Sequence, residues 1–207
     1  MKPYFPLLAA HNTNMRSIIV FAIFLIGNFL VPSIEAKDTI RDKSPDGKFA
    51  LEITKEDEGW AAAIVNLKTN ENVVGLDVYQ NFTEDAHLVW SKDSQRVAYF
   101  EPDRRGGSTT VYFRKDSTFE EVSLLEVDLP VCQEKPSEQN GNDTYLKTIE
   151  ATTRPVKWLS SGELVLEQHF ESEMESGATS ECGQTITLSF DPTHKPSVKS
   201  AKRNVKS

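Results

Sequence analysis

The sequence predicts an all-β protein, and three observations carry that prediction. A tight polar turn followed at once by an alternating apolar run occurs three times. The apolar residues recur with period two and not 3.6. Clusters of Gly, Asn, Asp, Ser and Pro separate the apolar runs, as turns do. The repeated turns are Ser44-Pro45-Asp46-Gly47-Lys48, Trp90-Ser91-Lys92-Asp93-Ser94-Gln95 and Trp158-Leu159-Ser160-Ser161-Gly162-Glu163. They lead into Phe49, Leu51 and Ile53, into Arg96-Val97-Ala98-Tyr99-Phe100, and into Leu164-Val165-Leu166.

The elements follow in order. Phe49, Leu51 and Ile53 alternate with Ala50, Glu52 and Thr54, the pattern of a half-buried strand. Lys55 to Gly59 turns the chain into a second strand, Trp60 to Leu67, and Thr69 to Asn72 turns it into a third, Val73 to Tyr79. His87 to Trp90 enters the second repeated turn. Val97 to Glu101 and Thr109 to Arg114 flank a hairpin tip containing Arg104-Arg105-Gly106-Gly107, and Phe119 to Val127 is the next strand. Residues 129–145 are rich in Pro, Glu, Gln, Asn and Gly and read as a long exposed loop. Strand signals resume at Leu146 to Thr153, where Pro155 marks a strand end or an edge. Leu164 to Phe170 and a final strand with Ile186, Leu188 and Phe190 enclose an acidic stretch, Glu171 to Gly183, expected to be a second loop. About ten or eleven strands result, joined as antiparallel hairpins.

The turn chemistry is physical. Pro presets the first corner, Asp accepts backbone N–H groups, and Gly takes the positive φ that other residues avoid. Trp gives a large apolar plate that packs on a neighbouring sheet. With the Trp in front, the turn resembles the repeats of TolB-type β-propellers, which read approximately Trp-Ser-Pro-Asp-Gly-Lys before an apolar strand. The match covers roughly residues 44–168. The first copy has the full turn but Lys43 in the Trp position, the second lacks the Pro and Gly, and the third inserts Leu159. The spacing is uneven, 47 residues from Ser44 to Ser91 and 69 from Ser91 to Ser160. Propellers have four to eight four-stranded blades, so the expected form is a partial propeller, a stack of sheets or a sandwich. The resemblance implies a binding scaffold.

Residues 1–36 read as a secretory signal. Arg16 precedes an apolar block, residues 17–31, and Pro32 and Ser33 lead to Ala36, after which cleavage is expected. A start at Met15 gives a signal of ordinary proportions. The block is short for a membrane span; an uncleaved anchor is the alternative. The remaining 37–207 suits one domain, divided into a β domain, 37–191, and a basic flexible tail, 192–207. It holds 21 Lys and Arg against 30 Asp and Glu, a formal charge of −9. Five of the basic residues and no acid fall in the tail. So acidic a body argues against nucleic-acid binding.

Two cysteines, Cys132 and Cys182, lie in the exported part, where oxidation is permitted. A disulfide between them closes a loop of about 50 residues, worth roughly 4 kcal/mol in the chain-entropy account. His87, His169 and His194 show no metal-ligand spacing, and no metal or cofactor is expected. There is no Gly-x-Ser-x-Gly elbow or comparable nucleophile motif. Arg104 and Arg105 are candidate anion-binding residues, because two guanidiniums beside flexible backbone can grip a carboxylate or phosphate. Glu56-Asp57-Glu58 and Glu171, Glu173 and Glu175 are acid clusters without the pattern of a calcium loop. Asn81 and Asn142 head glycosylation triplets.

The expected function is an exported, secreted or periplasmic β-repeat protein that binds a protein or envelope component, and no catalytic motif is found that argues for an enzyme. The alternative is a secreted hydrolase whose carboxylates meet from separate loops. Oligomeric state is not legible in the sequence.

Overall fold

Residues 39–124 and 145–204 are described by the computed structural model, and all lie within one unit, Ala36–Ser207. The described residues form twelve strands and no helix. These are β1 (Thr39–Arg41), β2 (Phe49–Glu56), β3 (Gly59–Asn66), β4 (Glu71–Leu76), β5 (His87–Trp90), β6 (Arg96–Asp103), β7 (Gly106–Lys115), β8 (Thr118–Val122), β9 (Tyr145–Trp158), β10 (Leu164–Met174), β11 (Thr179–Phe190) and β12 (Pro196–Arg203). No helix among the described residues is long and apolar enough to cross a membrane.

The strands fall into three antiparallel meanders of four. β1 to β4 make one sheet in chain order. β5, β6, β7 and β8 pair successively, as do β9, β10, β11 and β12. The second and third meanders join through a short parallel pairing, Gly106 with Ala151 and Gly107 with Thr152. That contact occupies the start of the β7 edge whose far end, Val111–Lys115, is taken by β8. The all-β class expected from the turns and the period-two pattern is the observed one.

Strand parity places the core. On β2 and β3, Phe49, Leu51, Ile53, Ala62 and Ile64 face one way, toward Val97 and Tyr99 of β6 and Tyr112 of β7. Ala98, Val111 and Phe113 point to the opposite face and pack on Leu164, Leu166, Ile186 and Leu188 of β10 and β11. The middle meander is therefore covered on both faces. Val97, Ala98, Tyr99 and Phe100 are all no more than 1% exposed. Such a continuous apolar run is what a strand buried on both sides requires. Since β10 and β11 belong to the same sheet as β6 and β7, that sheet folds back on itself to make the second interface.

Four sequence expectations are corrected. Glu171 to Gly183 is no loop: β10 and β11 continue through it to a turn at residues 175–178. The apolar period is hidden there because the inward parity of Leu166 and Ile186 falls on Ser172, Ser180 and Cys182; flanking the stretch, Gln168 and Gln184 are buried and bonded to each other at 2.7 Å. The flexible tail is, over Pro196–Arg203, an ordered edge strand paired with β11. An edge strand needs few apolar anchors and tolerates lysine at its exposed positions; here Val198 supplies the packing. Pro155 lies inside β9, beside a register shift between Val165 and Leu166 of β10, where the missing N–H is tolerated. Finally, the described strands number twelve. The signal and its cleavage position Ala36, most of the 129–145 loop, Cys132 and Asn142 lie outside the described residues.

Candidate functional site

The repeated turn is one structure at atomic detail. The Ser44 amide donates to the Phe49 carbonyl at 2.8 Å and the Gly47 amide to the Ser44 carbonyl at 2.9 Å. In the second copy Ser91 donates to Arg96 and Ser94 to Ser91, both at 2.9 Å. Each leading serine gives its hydroxyl to the aspartate two residues on, Asp46 at 2.7 Å and Asp93 at 2.6 Å. Residues Gly47, Ser94 and Gly162 all hold positive φ, at 68°, 58° and 87°. The third copy closes one residue earlier, with Leu159 donating to Glu163. A fourth turn of this shorter kind, Asp191 to Lys195, has His194 at φ 66° and joins β11 to β12. Its sequence, Asp-Pro-Thr-His-Lys, shares only its Pro and Lys with the first turn and nothing with the other two, so it escapes a search for the motif.

The repeat also fixes how units join. The Trp90 indole donates to the Asp42 carbonyl at 2.6 Å, and the Trp158 indole donates to the Val89 carbonyl at 3.0 Å. Asp42 and Val89 each stand two residues before the leading serine of their turn. One bond thus recurs at one repeat position and ties each unit to the unit before it. The first turn has Lys43 where the others have Trp. Neighbouring turns meet as well: the Asp46 amide donates to Ser94 Oγ at 3.0 Å, and Arg114 pairs with Asp46 at 3.1 Å.

Both turn aspartates titrate low. Burial pushes the Asp46 carboxyl up, but the Ser44 hydroxyl, the Lys48 amide and the Arg114 guanidinium outweigh it. Burial likewise pushes the Asp93 carboxyl up, and the Ser91 hydroxyl, the Gln95 amide and nearby Arg96 outweigh it.

The first strands of the three units converge on an open cleft of about 370 Å³. It is lined by Arg41 and Asp42 from the end of β1, Glu84, Asp85, Ala86 and His87 from the approach to β5, and Arg154 from β9. Its wall is held firmly. Arg41 Nη2 donates to the carbonyls of Thr83 and Ala86, and Asp42 Oδ2 accepts from the Leu88 amide at 2.9 Å. Arg41 Nε is buried without a hydrogen-bond partner among the described residues. His87 Nδ1 lies 2.8 Å from the Asp85 carbonyl, so it carries the proton and Nε2 is the acceptor in the neutral ring. Arg154 stacks its guanidinium 4.8 Å over the Phe100 ring, and His87 packs on the same ring at 5.3 Å.

Arg104 and Arg105 occupy the exposed β6–β7 tip and do not line this cleft. Their turn is docked by backbone: the Ala151 amide donates to the Arg105 carbonyl at 2.8 Å. Gly106 and Gly107 beside them are packing residues, since a Cβ at Gly106 would sit 2.2 Å from the Ala151 carbonyl oxygen. His169 is exposed on β10, and His194 stacks on Phe113 at 4.1 Å. No group of three or more His, Cys, Asp or Glu among the described residues suits a metal ion. Glu173 pairs with Lys147 at 2.9 Å, and the acids of the β2–β3 turn are exposed. Asn81 is exposed before β5. Cys182 is 6% exposed on β11, opposite Phe170. Sequence reasoning passed over Arg41 and Arg154. The only sign of Arg154 was its place before a proline in an interrupted strand pattern.

No protein-family model, curated protein or solved structure matches this chain.

Proposed function

We propose that the protein is exported, with cleavage after Ala36, and serves as a rigid scaffold that binds a protein or envelope component. The observation that carries this reading is the convergence of three units on one cleft, with their turns bonded to one another. Such a frame holds exposed side chains in fixed relation at little conformational cost on binding. The acidic charge of the chain favours a partner with cationic groups and speeds encounter with it. A TolB-type likeness supports the same reading by fold analogy.

The test is cross-linking of the protein in the exported fraction, followed by affinity capture and mass spectrometry. One partner enriched repeatedly over a control β protein supports the scaffold reading; nothing specific in repeated captures refutes it. The same spectra give the N-terminus, where a chain beginning at Lys37 supports cleavage and an intact leader refutes it. We further propose a Cys132–Cys182 disulfide, which would anchor the intervening segment to the buried β11 position. Thiol counting under denaturing conditions checks it, with no free thiol expected and two contradicting the pairing.

A further inference from the structure

The cleft contains groups that are fixed by hydrogen bonds within the fold and charged groups that are not. Arg41 is committed to the Thr83 and Ala86 carbonyls, and Asp42 to the Leu88 amide. Glu84, Asp85 and Arg154 have carboxylate and guanidinium groups that line the same cavity. Among the described residues these three form no ion pair, with one another or with anything else. Arg154 is nonetheless positioned, by its stack on Phe100, and the cleft wall is pinned by Arg41.

This charge pattern discriminates among ligands. A simple anion drawn to Arg154 would face the carboxylates of Glu84 and Asp85. A simple cation drawn to the carboxylates would face Arg154. A molecule with both charges, a few bonds apart, satisfies both sides. The cavity, about 370 Å³, lies at the small end of the range for small-molecule sites. We propose that this cleft binds a small zwitterion of the amino-acid or short-peptide class. Its carboxylate lies on the Arg154 guanidinium, and its ammonium between Glu84 and Asp85. His87 is held at the cleft wall by its Nδ1–H bond to the Asp85 carbonyl. Arg41 and Phe100 are positioning residues: one fixes the loop, the other fixes Arg154.

The test is an NMR titration of the purified protein with the dipeptide alanyl-alanine, following the backbone amides of Ala86 and His87. Its N-acetyl form, lacking the ammonium, and its C-terminal amide, lacking the carboxylate, are titrated in parallel. The free dipeptide is expected to give saturable shifts, and each blocked form to bind at least about tenfold more weakly, the loss of one charge-assisted contact. Arg154→Ala should weaken the free dipeptide by a similar factor, with undisturbed spectral dispersion. Glu84→Gln with Asp85→Asn should weaken the free dipeptide and leave the N-acetyl form no worse than before. Arg104→Ala with Arg105→Ala should change nothing. No saturable shift, equal binding of either blocked form, or unchanged binding by Arg154→Ala would each overturn the proposal. Because the titration needs no macromolecular partner, its failure is separable from failure of the scaffold reading.

Discussion

The indole N–H of the repeat does more than its ring area indicates. Trp90 and Trp158 bond to equivalent carbonyls of the preceding unit, so Trp158→Phe keeps most of the packing and removes one bond. About 1–2 kcal/mol of stability should be lost, because the Val89 carbonyl is left without that donor. Urea unfolding measures it, and an unchanged midpoint would show that the ring alone matters. The turn aspartates make a second prediction. Asp46 and Asp93 have folded pKa values below their ordinary value. Their stabilisation is therefore complete above the unfolded carboxylate range and is lost as pH falls through the lower, folded value. Asp46→Asn combined with Asp93→Asn should reduce stability at pH 7 and flatten its fall below about pH 4. Parallel pH profiles of wild type and variant would contradict this. Glu101 is the opposite case: burial, then Asp77 and Asp103, push its carboxyl up. Its ionised form is disfavoured in the fold, so Glu101→Gln should stabilise at neutral pH, by about 0.5 kcal/mol for a partly exposed charge, and the gain should vanish in acid. Tyr112, pushed up to about 12 by burial and then by Glu121, remains neutral throughout.

At the scale of elements, the glycines separate turn demand from packing demand. Gly47, at φ 68° with nothing within 4 Å of a would-be Cβ, should accept Ala for about 1 kcal/mol. Gly106 faces backbone at 2.2 Å across the parallel β7–β9 contact, and the backbone cannot rotate away. Gly106→Ala should cost at least about 3 kcal/mol, or part β9 from β7; thermal melts of the two variants decide, and equal melting temperatures would refute the distinction. Legibility in the sequence follows the same division. Strands with one buried apolar face, such as β2 with Phe49, Leu51 and Ile53, announce themselves by period two. The outer halves of β10 and β11 do not, because a glutamine pair and Cys182 stand at inward positions. β12 was hidden because an edge strand is held by backbone bonds, which composition does not record. Its entry turn was hidden because His194 takes the positive φ that Gly or Ser takes elsewhere.

For the whole molecule, the sequence indicated the class and three turns, but not the count of three complete meanders. The first strand of the first meander, β1, is three residues of Thr-Ile-Arg with no pattern of its own. The cleft was illegible for a different reason. Arg41, the run Glu84 to His87 and Arg154 are distant from one another in sequence and share no spacing; they meet only because each precedes or occupies the first strand of a unit. Tryptophan stands before the turn in the second and third units, where its indole bonds to the unit before, and Lys43 stands there in the first. The three meanders form a face-to-face stack in which the middle one is buried on both sides. Methyl-resolved NMR of the purified protein tests it directly, by nuclear Overhauser contacts across the two interfaces. The stack predicts contacts of Ile64 with Tyr99 on one side and of Leu166 or Ile186 with Val111 on the other; contacts on one side only, with the other face of the middle meander open to solvent, would contradict it.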